Sequence, residues 1–185
     1  MKFLKLFSII ALSSLLFIAC SDDDDSPEPV NEEEVITTMT ITLSPQGGGT
    51  NITLQTRDLD GDGPDPPDVT VSGDLAANTT YDGSIELLNE TETPAEDITE
   101  EVEEEDDEHQ FFFDIGGGLD ATTDYANFDG DGNPLGTEFT LTAADASSGN
   151  ITITLRHEPN KPNDGTLADA GGETDIAQTF DLTIQ

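Results

Sequence analysis

The sequence predicts an all-β fold, an antiparallel β-sandwich of the immunoglobulin-like kind, with a long acidic connection that has room for one short helix. Three observations predict it. From Val35 onward apolar residues recur at every second position, the period of a strand with one buried face. Between the apolar runs lie Gly47-Gly48-Gly49, Gly116-Gly117-Gly118, Asp-Gly steps and Asn133-Pro134, all turn chemistry. Heptads, helical repeats and an alternating strand–helix pattern are missing from the sequence.

Taken in order, Val35, Met39, Ile41 and Leu43 fall on one face, with Thr38, Thr40 and Thr42 on the other. Ile52 and Leu54 alternate with Thr53 and Gln55, and Tyr81, Ile85 and Leu87 alternate with Asp82, Ser84 and Glu86. Phe111, Phe113 and Ile115 form the next set, followed by Phe139 and Leu141, by Ile151, Ile153 and Leu155, and by Phe180, Leu182 and Ile184. The threonines between them suit a pleated surface. Roughly nine short strands with loops between them fit a sandwich. About 150 residues bury close to 70% of their unfolded surface, enough for a stable core. Pro94–Glu108 breaks the alternation with ten carboxylates, and Ile98 and Val102 are its only large apolar residues. Those two are spaced to dock one helical turn, while like charges at i,i+4 oppose a longer helix.

Charge narrows the function. Five Lys+Arg stand against 41 Asp+Glu, a net charge of -36. No basic surface is available for nucleic-acid phosphates or for an anionic leaflet. The single cysteine, Cys20, excludes a disulfide scaffold and a thiolate zinc finger. Gly-x-Ser-x-Gly, His-Glu-x-x-His and a phosphate-cradling Gly-Lys-Ser/Thr are absent from the sequence, so it predicts a binding protein and not an enzyme.

The amino terminus reads as an export signal: Lys2 and Lys5 precede an apolar run, Leu6–Ile18, too short to span about 30 Å of hydrocarbon as a helix. Leu16-Phe17-Ile18-Ala19-Cys20 resembles a bacterial lipobox, with Phe17 where Leu is usual. The resemblance implies cleavage before Cys20, acylation of that residue and attachment to a membrane through the lipid. The division expected is 1–19 signal peptide, 20–33 lipidated Cys with an acidic, Pro-containing tether, and 34–185 β-sandwich. Ser21-Asp22-Asp23-Asp24-Asp25 resembles the acidic surface-export signal of Bacteroidota lipoproteins, which implies the outer membrane, facing outward.

The stretches Glu34–Thr38, Asp58–Gly63, Leu75–Tyr81, Leu87–Glu90, Glu108–Phe113 and Arg156–Lys161 are similar to those of Bacteroidota surface lipoproteins that often carry the label type 1 periplasmic binding fold superfamily protein. The label implies a two-lobed α/β fold. Such a fold needs amphipathic helices between parallel strands and a longer chain, so only the surface-lipoprotein grouping is carried forward.

Three constellations offer chemistry. His109 shares strand parity with Phe111 and Phe113, and His157 with Ile153 and Leu155. Both imidazoles therefore project inward, one at the start and one at the end of a strand. If those strands run antiparallel side by side, the histidines meet at one rim, beside Glu108, Glu158 and Asp107, as a nitrogen-plus-oxygen site for Zn²⁺, Cu²⁺ or Fe²⁺. Asn127, Asp129, Asp131 and Glu138, with Gly132 at the sixth position, match the spacing of a Ca²⁺ loop. Asp58, Asp60 and Asp62 offer a second, less complete one, with Val69 at its twelfth position. The expected function is capture of transition-metal cations for an outer-membrane transporter. The alternative is a structural or adhesion-type module whose Asp-rich loops are stiffened by Ca²⁺.

Overall fold

The computed structural model describes residues 34–61 and 63–185. The expected signal peptide, the expected tether with Cys20, and Asp62 lie outside the described residues. The described residues form ten strands and two short helices in the order β1 (Thr38–Pro45), β2 (Ile52–Arg57), β3 (Asp68–Val71), β4 (Thr79–Asn89), β5 (Glu96–Asp97), α1 (Ile98–Glu104), β6 (His109–Gly116), β7 (Ala121–Tyr125), β8 (Glu138–Ala143), β9 (Ser147–His157), α2 (Leu167–Ala170) and β10 (Glu173–Ile184). One sheet runs β3-β2-β1-β4-β8-β7, with β5 added to β4, and the other runs β10-β9-β6. All of these pairings are antiparallel.

Lettered A to G, the strands β1, β4, β6, β7, β8, β9 and β10 give sheet orders A-B-E-D and G-F-C. That is the constant-type immunoglobulin arrangement. β2 and β3 are inserted between the first two of these strands and widen the larger sheet. β5 and α1 occupy the connection from β4 to β6.

The alternating residues fill the space between the sheets. Met39, Ile41 and Leu43 of β1, Ile85 and Leu87 of β4, and Phe139 and Leu141 of β8 are buried against Phe111 of β6, Ile151, Ile153 and Leu155 of β9, and Phe180, Leu182 and Ile184 of β10. Val35 departs from its expected place: it precedes β1 and is 54% exposed. Phe112, off the alternating set, is buried as well, because α2 and the loop before it close over the outer side of β6.

Gly83 stands opposite Phe139 in the β4–β8 pair, and a Cβ there would meet the Phe139 ring at 2.5 Å. The glycine lets that ring lie flat across the strand, 4.4 Å from the Phe113 ring. Gly83→Ala should therefore destabilise the domain by about 1–3 kcal/mol, the usual range for overpacking. Chemical denaturation tests this, and an unchanged midpoint would show that Phe139 can move away freely.

The acidic connection forms one helix of under two turns. Ile98 and Val102 are its buried residues, as their spacing requires. Asp97 caps it by accepting the Thr99 N–H at 3.0 Å, and the Thr99 hydroxyl accepts the Leu87 N–H at 2.9 Å, pinning the helix to β4. The helix ends at Glu104 with Glu105 as its C-cap, and one turn later β6 begins at His109.

Candidate metal centre

β6 and β9 pair so that His109 lies directly opposite His157. Both side chains point inward, and their rings stand 4.6 Å apart between centroids. Inward parity and antiparallel register are enough to bring them together at one rim of the sandwich, as the sequence predicts.

Two carboxylates complete the cluster. Glu34 enters from the segment before β1, and its Oε1 is 3.2 Å from His109 Nε2 while its Oε2 is 3.6 Å from His157 Nδ1. Asp175 comes from β10, with Oδ1 3.9 Å from His157 Nδ1. One ligand atom from each of Glu34, His109, His157 and Asp175 lies within 4.8 Å of the other three. All four side chains are buried, with exposures of 4%, 0%, 4% and 3% in that order.

Local structure explains why each side chain points here. The register of β10 against β9 shifts between Thr174 and Ile176, so Asp175 is the extra residue of a β-bulge. A bulge re-aims the side chain it carries, here toward the rim. Gly172, just before β10, has φ +64°, and a Cβ there would strike the His157 carbonyl at 2.1 Å. Only glycine lets the chain pass that close to the end of β9. Glu34 is set by the start of β1, where the Thr37 N–H donates to Leu88 O at 2.9 Å.

The hydrogen bond from His109 to the backbone fixes a proton on one of its nitrogens. Nδ1 sits 3.2 Å from the carbonyl oxygen of Glu105. A carbonyl only accepts, so Nδ1 carries a proton, and Nε2 faces the Glu34 carboxylate either as a lone pair or as a second N–H. The contact with the carboxylate oxygen at 3.2 Å needs positive charge, from a proton on the ring or from a cation beside it. Backbone-fixed tautomers of this kind are how proteins orient metal-binding imidazoles. Glu34 Oε2 and His157 Nε2 are buried and, among the described residues, have no hydrogen-bond partner. The charge of Glu34 is felt on α1: burial, with repulsion from Glu34, Glu105 and Glu96, pushes the Glu101 carboxyl above its ordinary value.

The spacings suit one ion. Four donors about 2.1 Å from a tetrahedral ion stand about 3.4 Å from each other. The two oxygens of Glu34 stand 3.2 Å from His109 Nε2 and 3.6 Å from His157 Nδ1, and Asp175 Oδ1 stands 3.9 Å from the latter, separations of the same order. Two nitrogens and two oxygens make a donor set for Zn²⁺, Cu²⁺ or Fe²⁺ rather than for Ca²⁺ or Mg²⁺, which take oxygen.

Comparison with known proteins returned no matching family model, no similar curated protein and no similar solved structure.

Of the carboxylates expected beside the histidines, Glu108 and Glu158 are not in the buried cluster. They form a second, exposed group around the other face of His157, whose Nε2 is 3.8 Å from Glu108 Oε2. Asp107 joins neither group. Glu34 and Asp175 were invisible to strand parity, since one precedes the first strand and the other sits in a bulge.

The expected calcium loops are arranged differently. Asn127 Oδ1 accepts the N–H groups of Gly136 and Glu138, and Asp129 Oδ1 accepts those of Asp131 and Asn133. Asp129 Oδ2 is 3.2 Å from Lys161 Nζ, so an ammonium occupies the place a divalent ion would need. Glu138 lies exposed at the start of β8. Among the described residues, Asp129, Asp131 and Glu138 do not gather into a ligand cluster. Asp58 Oδ1 closes a turn by accepting the N–H groups of Asp60 and Gly61, and Asp60 Oδ2 accepts that of Asp65. These carboxylates serve their own loops.

Proposed function

We propose that this protein is a non-catalytic, lipid-anchored surface protein that binds one transition-metal cation through His109, His157, Glu34 and Asp175, and holds it for an outer-membrane transporter. The observation that carries the metal reading is the buried quartet itself. Two carboxylates and two imidazoles removed from water are unfavourable unless positive charge joins them. Protonated histidines would supply that charge, yet charge-assisted hydrogen bonds contract to about 2.7–2.9 Å. The wider 3.6 and 3.9 Å spacings between His157 and its two carboxylates support an ion between them.

Anchoring and surface exposure rest on the order of features in the sequence: the basic residues, the apolar run, Cys20 and the acidic residues after it. The remaining excess of negative charge raises the local cation concentration around the sandwich. The alternative, an adhesion module with Ca²⁺-stiffened loops, has less support, because Lys161 is paired with the central carboxylate of the better loop.

Titration calorimetry of the full chain in detergent with Zn²⁺ and with Cu²⁺ tests this. One site per chain of micromolar or tighter affinity is expected, lost in the His109→Ala/His157→Ala variant. Weak binding at many sites, unchanged by that variant, would overturn metal binding as the function.

A further inference from the structure

The buried quartet has no exposed ligand, so a cation needs a way in. His157 provides a specific one, because its two ring nitrogens face two different carboxylate pairs. Nδ1 looks inward to Glu34 and Asp175. Nε2 lies 3.8 Å from Glu108 Oε2, and Glu108, His157 and Glu158 each have a ligand atom within 4.8 Å of the other two. The outer carboxylates are in water, the Glu108 side chain being 50% exposed. Nε2 itself is buried and, among the described residues, accepts and donates no hydrogen bond.

The backbone builds this outer group deliberately. Glu158, directly after β9, has φ +48°, an uncommon conformation for a residue that is not glycine or asparagine. Its N–H donates to Glu108 O at 2.6 Å, tying together the residues that precede β6 and follow β9. The turn brings the Glu158 carboxylate back beside the ring it has just left.

We infer that Glu108, Glu158 and His157 Nε2 form a second cation site at the rim, the loading site from which a transition metal passes to the buried quartet. This rests on the metal-binding reading of the quartet. An ion leaving solvent first meets the two exposed carboxylates, with the buried outer nitrogen behind them. A neutral imidazole carries one proton, so it offers a lone pair on one side at a time. With the ion outside, Nδ1–H faces Glu34 and Asp175. With the ion inside, Nε2–H faces Glu108, the carboxylate–histidine–metal arrangement that orients a ligating ring. The two sites therefore hold the ion in turn, and His157 belongs to both.

Stopped-flow mixing of the full chain in detergent with Co²⁺, followed by its absorption, reads both rate and affinity. Glu108→Gln/Glu158→Gln keeps the shape of both side chains and removes the outer ligands. Association should slow by about tenfold or more, a scale that charge at a site mouth can command. Dissociation should slow in parallel, leaving the affinity and the spectrum of bound Co²⁺ nearly unchanged. Asp145→Asn/Asp181→Asn, two exposed carboxylates beside the start of β9 and so at the end of that strand opposite His157, removes the same charge away from the rim and should leave the rate nearly intact. Equal slowing in both variants would mean general attraction only, and would overturn a loading site. An unchanged rate in Glu108→Gln/Glu158→Gln would also overturn it. Loss of affinity with an unchanged association rate would place the rim residues in a single shared site, again against it. If the unsubstituted chain bound no Co²⁺ at one site per chain, the quartet reading would fail and this inference with it.

Discussion

Zn²⁺ at a hundredfold excess over its dissociation constant should raise the midpoint of thermal unfolding by about 5–10 °C. A ligand that binds only the folded state at that excess adds about 2.7 kcal/mol, and about 1 kcal/mol moves the midpoint of a domain this size by 2–4 °C. The condition that only the folded state binds is well met here. The four ligands come from the segment before β1, from β6, from the end of β9 and from the bulge in β10, so unfolding scatters them over more than a hundred residues. The ion would also clamp the chain's entry into the domain to the smaller sheet, through Glu34. Scanning calorimetry with Zn²⁺ and then with excess chelator measures the shift. It should vanish in Glu34→Gln/His157→Ala. A shift of the same size in that variant would mean that Zn²⁺ acts through the general acidic surface, and the quartet would lose its role as the binding site.

The histidine pair illustrates how far alternation carries. Parity alone places His109 with Phe111 and His157 with Leu155 on inward faces, and an antiparallel β6–β9 pair then makes them meet. The seven strands of the immunoglobulin-like core all carry apolar or β-branched residues at alternate positions, with β7 the weakest. β3 and β5 were harder to read: Val69 and Val71 alternate in β3, but that strand is four residues long and exposed throughout, and β5 is two acidic residues held by β4. Glu34 and Asp175 were hidden for a different reason. A carboxylate just ahead of a strand has no parity to read. Counting back from Phe180 in steps of two reaches Ile176 and then Thr174, which points Asp175 outward until the bulge reverses it. The Ca²⁺ spacing of Asn127–Glu138 is real as a pattern. Which cation faces Asp129 depends on Lys161, thirty-two residues on, and no local spacing contains that.

Lys161→Met should destabilise the domain by about 3 kcal/mol, a large share of the 5–15 kcal/mol that holds an ordinary domain folded. Lys161 and Asp129 are 6% and 1% exposed at their side chains. Removing the ammonium leaves a buried carboxylate held only by Asn133 and by loop N–H groups. The figure is at the low end for a buried pair, because the loop sits at the edge of the sandwich with water nearby. Lys161 Nζ also donates to Asp106 O, so the same substitution frees the turn leading into β6. The pH dependence separates charge from packing. Burial opposes ionisation of Asp129, but donors from Asn133 and Lys161 outweigh it and hold the carboxyl below its ordinary value. A carboxyl lowered on folding contributes its full stabilisation above its unfolded value, near 4, and loses it as the pH falls through the folded value. Other carboxylates titrate in the same window, so the informative quantity is the stability difference between the unsubstituted chain and Asp129→Asn. That difference should be constant from pH 5 to 8 and shrink below about 4. A difference that stayed constant down to acid unfolding would mean that Asp129 stabilises the loop as a hydrogen-bond acceptor, with no contribution from its charge.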